Sequence, residues 1–316
     1  MSGAIDTLEV QVPGEEVWST ELRRLSRGGV SGGGPFLQWQ GWRYRRFVDL
    51  RQHGFSAMLY LDSRRCGSNK LVMNRVGGMP YKNVLAEIGA LFDSDVLDFT
   101  VMRVDMAVDV VDYPVQWFKD HVAVRRRQCR GEIGTISYQT NVRRGVETLY
   151  FGKRPNLFRI YDKIAQLRTE GHRRNRLGAL SHPVEEPWTE MTTVTRIERQ
   201  YGGSRIPEQL ATLGKIQADA LKINPFEPLE FLFRAFASIP ADLSGSAFLK
   251  ALGLRTLVED QGMQGAIAEL NRRTGGKGIR LIGNVQNHMS RDEPVVPPNL
   301  VEMYRQSLAS QLGAAA

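Results

Sequence analysis

Phe158-Arg159-Ile160-Tyr161-Asp162-Lys163 is the segment from which the rest of the chain is read. It alternates as a strand does, with Phe158 and Ile160 on one face and Arg159, Tyr161 and Lys163 on the other. A tyrosine with a cation on either side of it on its own face suits attack on a phosphodiester. The phenol has an ordinary pKa near ~10. Nearby positive charge favours the phenolate and holds a phosphate. Taken alone, the segment favours an ordinary amphipathic surface strand. The carboxylates elsewhere in the chain shift that balance.

On the N-terminal side, strand patterns are expected at about 36–49, 55–62 and 69–75, and a long one at about 96–112 (VLDFTVMRVDMAVDVVD). Helical spacing of Val84, Leu85, Ile88 and Leu91 predicts a helix over 81–93, and another follows Pro114 at 115–124. Strands at about 134–140 and 146–152 flank Asn141-Val142-Arg143-Arg144-Gly145 and read as a hairpin. After the Tyr161 strand, a basic polar stretch at about 168–188 reads as an exposed loop. A strand at about 191–201 follows, and Pro207 opens a helix through about Ile216. From about 220 the character is helical: 226–238, 246–253, 254–272 and 298–312, with one strand candidate at Ile279–Ile282 and a turn signal at Gly283-Asn284. Residues 1–35 read as a flexible segment ending in a glycine-rich linker. The expected organisation is α+β. A catalytic domain at 36–217 has a mixed or antiparallel sheet, and a smaller, mostly helical region occupies 218–316 with a frayed tail.

The chain has 316 residues, 42% apolar and 24% charged, which is enough for a real core. No apolar run approaches the ~20 residues of a membrane helix, so no membrane partner is expected. The opening MSGAIDTLEVQVPGEE shows no basic stretch followed by an apolar one, and the expected compartment is the cytoplasm of a bacterial host. Cys66 and Cys129 make neither a disulfide framework nor a zinc site. The net charge is +8 and the excess is local, since residues 121–180 hold fourteen Lys or Arg against four acids. Within that stretch Arg125, Arg126, Arg127, Arg130, Arg143, Arg144, Lys153 and Arg154 are the expected contacts to a polyanion. Tyr150, Phe151, Phe158 and Tyr161 interleave with the charge, which suits a groove that tracks phosphates and stacks unpaired bases.

Acids sit beside bases on three strands. Arg103, Asp105, Ala107 and Asp109 share one face of the long strand, while Val104, Met106, Val108 and Val110 share the other. Glu147 shares a face with Leu149 and Phe151, and Arg196 and Glu198 share a face with Val194 and Gln200. Asp105 and Asp109 are separated by ~13 Å of backbone, so both need not touch one ion. Charges facing a core must be paired or bound to metal. Pairing of Arg103 with Glu198, or of Arg196 with Asp105, is one outcome, and an Mg²⁺ or Mn²⁺ ion on the carboxylates is the other. The five histidines, His53, His121, His172, His182 and His288, include no His-x-His pair, and there is no P-loop, no GxGxxG before a helix and no HExxH.

Arg103-Val-Asp105-Met-Ala-Val-Asp109, Glu147-Thr-Leu-Tyr-Phe-Gly152-Lys-Arg154, Leu157-Phe-Arg-Ile-Tyr161-Asp-Lys163 and Thr195-Arg196-Ile-Glu198 occur in that order. This series, over about residues 55–215, resembles the replication initiation factor family. That family includes rolling-circle replication initiators of staphylococcal-type plasmids, initiators of some filamentous phages, and relaxases of some integrative and conjugative elements. The resemblance implies a sequence- and strand-specific DNA endonuclease, a nickase that rejoins strands. Tyr161 would be its nucleophile, forming a 5′-phosphotyrosyl link and a free 3′-hydroxyl. It also implies a divalent ion on Asp105, Glu147 and Glu198, with Asp109 a further candidate, and places Lys163 near the scissile phosphate. The expected partners are origin DNA, single-stranded or as a hairpin, with a host helicase and a DNA polymerase. A homodimer is among the oligomeric states left open. The rival expectation is a non-catalytic DNA-binding regulator or degenerate initiator.

Overall fold

The computed structural model describes residues 4–27, 44–50, 57–63, 68–74, 76–124, 139–141, 145–153, 156–167, 193–231, 243–286 and 298–313. In chain order the elements are β1 (Ile5–Val12), α1 (Thr20–Arg27), β2 (Tyr44–Asp49), β3 (Ala57–Ser63), β4 (Asn69–Asn74), α2 (Tyr81–Leu91), β5 (Val101–Val111), α3 (Val115–His121) and β6 (Val122–Val124). Then come β7 (Gln139–Asn141), β8 (Gly145–Lys153), β9 (Asn156–Asp162), β10 (Val194–Gly202), α4 (Leu213–Asp219), β11 (Leu229–Phe231), α5 (Gly245–Thr274), α6 (Gly278–Gln286) and α7 (Leu300–Leu312). The fold is α+β.

Nine strands form one sheet in the order β2-β3-β4-β1-β5-β10-β9-β8-β7, and β11 pairs with β6 in a second, two-stranded sheet. Every pairing is antiparallel. The alternation of β5 carries over to its neighbours through the register. Val104, Met106, Val108 and Val110 join Leu149 and Phe151 of β8, Phe158 and Ile160 of β9, and Ile197 of β10 in one apolar cluster. α3 lies against β8 and β9 on this side, and α7 lies against β5. Each fully buried large aliphatic or aromatic side chain contributes about 1.5–3 kcal/mol, so this face stabilises the sheet. The opposite face of the central strands carries the charges.

Several expectations are corrected. Residues 5–27 are not a flexible segment. β1 is an interior strand between β4 and β5, and Leu8, Val10, Val12, Trp18 and Leu22 are all buried. The long strand starts at Val101, because Asp95 caps a 3-10 turn over Val96–Asp98 by accepting from the Leu97 amide at 2.9 Å. The helix after Pro114 ends at His121, where Val122-Ala123-Val124 extend to pair with Leu229–Phe231. That strand replaces part of the helix expected at 226–238. The two helices expected at 246–253 and 254–272 are one element, interrupted at Gly262 (φ 69°), a conformation that suits glycine. Ile279–Ile282 is helical, and Gly283-Asn284 lies inside α6 rather than in a turn.

The helical C-terminal region is also divided differently from the expectation. α5 and α6 form their own cluster of Leu254, Val258, Met263, Ala266, Ile267 and Ile282, joined by Ala123 of β6. α7 instead belongs to the main core through Leu300, Tyr304 and Leu308. The Gln311 side chain accepts from the Ile5 amide at 2.9 Å and donates to the Val76 carbonyl at 3.1 Å, tying the last helix to the first strand.

Candidate active site

Tyr161 sits at the middle of the charged face. Register sets it opposite Thr148 of β8 and Arg196 of β10, and Arg159 opposite Tyr150 and Glu198. On the far side of β10, Arg196 meets Asp109, Glu198 meets Ala107 and Gln200 meets Asp105. Ala107 matters because it is small: between two aspartates, it leaves room for the Glu198 side chain opposite.

Glu198 organises the centre. The Tyr161 hydroxyl donates to Glu198 Oε2 at 3.3 Å, while Arg159 Nη2 donates to Glu198 Oε1. The Arg159 guanidinium also lies 5.4 Å from the centre of the Tyr161 ring. Glu198 is 1% exposed, Asp105 0% and Tyr161 6%. Burial works against the Arg159 charge, yet Glu198 and Tyr161 beside it outweigh that and hold it above the ordinary guanidinium value.

The ionisations differ from the sequence expectation. Burial first, then the charge of Glu198, push the Tyr161 phenol well above its ordinary value, and Arg196 and Arg159 only partly oppose this. Tyr161 therefore rests as a phenol hydrogen-bonded to a carboxylate, not as a phenolate favoured by cations. Burial is also the main reason Asp105 is pushed up to about 8. Glu198 adds to the shift through its charge and a hydrogen bond, against the opposing hydrogen bond from Arg103. At neutral pH the Asp105 carboxyl therefore rests largely protonated.

Arginines sort the acids in a way that alternation alone does not predict. Arg103 clamps Asp105 on its own strand with two hydrogen bonds, one of them from Nε to Oδ1 at 2.8 Å, and reaches Glu9 Oε1 at 3.3 Å. Arg196, 2% exposed, makes a two-pronged pair with Asp109 at 2.5 and 2.6 Å and a third bond to Asp6 at 2.6 Å. The pairs are thus Arg103–Asp105, Arg196–Asp109 and Arg159–Glu198, not Arg103–Glu198 or Arg196–Asp105. Asp6 and Glu9 give no signal in the sequence, because β1 reads there as a flexible flank.

Of the four metal-ligand candidates, the fold brings Asp105 and Glu198 together and commits Asp109 to Arg196. Glu147 lies at a register shift between β7 and β8, and its side chain is outside the described residues. Among the described residues, no group of three or more His, Cys, Asp or Glu is arranged to hold a metal. Lys163 does not continue the strand. β9 ends at Asp162, which accepts from the Ala165 amide at 2.9 Å and opens a helical turn over 163–167. Lys163 is buried there, with Nζ 3.4 Å from Gln166 Oε1. Arg125, Arg126, Arg127, Arg130, Arg143, Arg144 and Arg154 lie outside the described residues, as does the side chain of Lys153 at the end of β8.

Arg199 is a contrasting case on the apolar face. Its guanidinium lies 4.0 Å from the Phe158 ring and 5.1 Å from the Tyr201 ring. Its buried Nε and Nη1 have no hydrogen-bond partner among the described residues. Cation–π contact with the two rings holds it, together with a hydrogen bond to the Tyr201 hydroxyl.

Among the described residues no helix is long and apolar enough to cross a membrane. No family model matches the chain, and no curated protein matches it. Among solved structures it is similar to one described as "Structure of Rolling Circle Replication Initiator Protein from Geobacillus stearothermophilus". The two are 16% identical, with 80% of this chain and 95% of that chain covered and a TM-score of 0.37.

Proposed function

We propose that this protein is a rolling-circle replication initiator, a DNA nickase and strand transferase with Tyr161 as nucleophile. The observation that carries the reading is the hydrogen bond from the Tyr161 hydroxyl to Glu198, braced by Arg159. A phenol held above its ordinary pKa needs a base in the attacking step, and Glu198 is in place to take the proton as the phenolic oxygen bonds phosphorus. The bond from phosphorus to the 3′-oxygen breaks, and that oxygen leaves as a hydroxyl once it receives a proton. Arg159 bears on the charge that develops on phosphate. The product is a 5′-phosphotyrosyl link and a free 3′-hydroxyl that a polymerase can extend. The link keeps the phosphodiester energy, so rejoining needs no ATP. A separate helicase would open the duplex.

Asp105 and Glu198 fit a divalent cation such as Mg²⁺ or Mn²⁺. Glu198 lies close enough to raise the Asp105 carboxyl, and a hard cation would take the place of the Asp105 proton. When bound, such an ion neutralises a non-bridging phosphate oxygen. Tyr161 is buried, so a strand reaches it only when the charged face opens.

One observation favours the rival reading of a DNA binder without catalysis: Asp105, Asp109 and Glu198 already hold an arginine each. The two readings separate on a supercoiled plasmid carrying the DNA that flanks the protein's own gene. Incubation with Mn²⁺ should convert it to the open circular form with protein covalently attached. Bound but uncut plasmid would support the binder.

A further inference from the structure

We infer that α5 and α6 form a helix-turn-helix unit that reads duplex DNA through the outer face of α6. Three helical pieces build it: 245–261 and 263–274, which meet at Gly262, and α6. Leu254 and Val258 of the first pack with Met263, Ala266 and Ile267 of the second and Ile282 of the third. The turn before α6 is Gly275-Gly276-Lys277, with φ of +63° and +95° at the two glycines, so the chain reverses within three residues. The approach is close. A Cβ on Gly278 would lie 2.7 Å from the Ile267 carbonyl oxygen, so α6 seats against the preceding helix only with glycine at that position. A short glycine turn between two packed helices is the kind of connection by which a helix-turn-helix unit carries its second helix.

The surface fits that partner. Gly278 and Ile282 of α6 are buried, whereas Ile279, Arg280 and Asn284 are exposed. Those three and Gly283 fall within one arc of the helix. Lys277 precedes them, and Arg272 and Arg273 close the helix before the turn, 70% and 68% exposed. Both arginines are held by Glu269, the one carboxylate in the stretch 269–286 that carries these four cations. The charge complements a phosphate backbone. The arc itself offers a guanidinium that can pair with guanine, an amide that can pair with adenine, and an apolar branch for a thymine methyl. Gly283 lies between them, and a Cβ there would meet no protein atom within 4 Å, so the helix presents bare backbone at the middle of the face. An α-helix of about 10–12 Å diameter matches a major groove of about 12 Å. The choice of DNA over an acidic protein rests on the function proposed above. The site is nevertheless separate from Tyr161, since it belongs to the second hydrophobic cluster and takes paired rather than unpaired DNA.

The test is selection from a random-sequence duplex pool by the full-length protein. Wild type should enrich a shared motif. Arg280→Ala and Asn284→Ala should each relax the preference at one or two base pairs by roughly tenfold. Gly283→Glu places a carboxylate on the face without touching the protein, so it should abolish enrichment while helix content and melting temperature do not fall. A wild type that enriches no motif would overturn the inference, as would a Gly283→Glu variant that selects the wild-type motif. Its failure is distinct from that of the nickase. A covalent adduct on single-stranded DNA with no role for α6 removes the duplex reader alone, and motif selection through α6 without any adduct removes the nickase alone.

Discussion

The Tyr161 hydroxyl donates to Glu198 across the β9–β10 pair, and Glu198 in turn accepts from Arg159. Two neighbouring strands therefore hold on one face the three groups that the proposed function uses as nucleophile, base and phosphate-binding cation. The arrangement depends on the register that sets Arg159 opposite Glu198. Slipping β9 by one residue would send Tyr161 to the apolar face.

Glu198→Gln should retain the fold and lose cleavage. An amide can still accept from the phenol but cannot take its proton. DNA affinity should stay within a few-fold of wild type by fluorescence anisotropy, while the nicking rate falls by about 10²–10⁴, the range of a general base. Equal nicking rates would make Glu198 a structural partner of Arg159.

Asp105 gives a pH signature. Its carboxyl is pushed up to about 8 in the fold, against about 3.9 in an unfolded chain. Between those values the folded state binds more protons than the unfolded one, so stability falls as pH rises from about 4 to 8. Urea midpoints of the metal-free protein should therefore decline from pH 5 to pH 8. Asp105→Asn should flatten that decline and lose Mn²⁺-stimulated cleavage, since an amide is an uncharged, poorer ligand for a hard cation. An unchanged slope in the variant would place the titration elsewhere.

Arg196 and Arg199 are buried on opposite faces of β10, and their replacements should differ in sign. Arg196→Met strands Asp109 and Asp6 and should cost about 3–5 kcal/mol of stability. Arg199→Met removes a charge whose Nε and Nη1 lack partners among the described residues and keeps its packing on Phe158, so stability should hold or rise. Thermal melts of the two variants check this, and equal destabilisation would refute the distinction.

The local charge of residues 121–180 should make DNA binding steeply salt-dependent. Replacing Arg125, Arg126 and Arg127 together with Ala should weaken all sequences about equally. It should also lower the slope of log K against log salt by roughly 0.7–0.9 for each phosphate no longer neutralised. A selective weakening at one sequence would mean that the cluster reads bases.

Alternation made the strands of the candidate site legible. β5 places Val104, Met106, Val108 and Val110, and β9 places Phe158 and Ile160, at every second position, and that phase put Asp105, Arg159 and Tyr161 on the charged side; on β10 only Ile197 marks the apolar phase that leaves Glu198 on the charged side. Ion-pair partners were not legible, because Arg196 finds Asp109 rather than Asp105 through the register between strands far apart in sequence. β1 was hidden by the glycine run that follows α1, although Leu8, Val10 and Val12 do alternate. α6 was hidden because Gly283-Asn284 carries a turn signal that burial of Ile282 against α5 overrides. The pKa of Tyr161 was not legible for a related reason: the cations are visible in sequence, but the burial that outweighs them is a property of the fold.

The central claim is covalent chemistry at Tyr161, and it can be read directly from the protein–DNA adduct. After reaction with the plasmid and Mn²⁺, nuclease and trypsin digestion should yield the peptide Ile160–Lys163 carrying a 5′-nucleotide phosphate on its tyrosine. Tyr161→Phe should yield none while binding DNA as wild type does. A nucleotide on any other residue, or an adduct formed by Tyr161→Phe, would contradict the account.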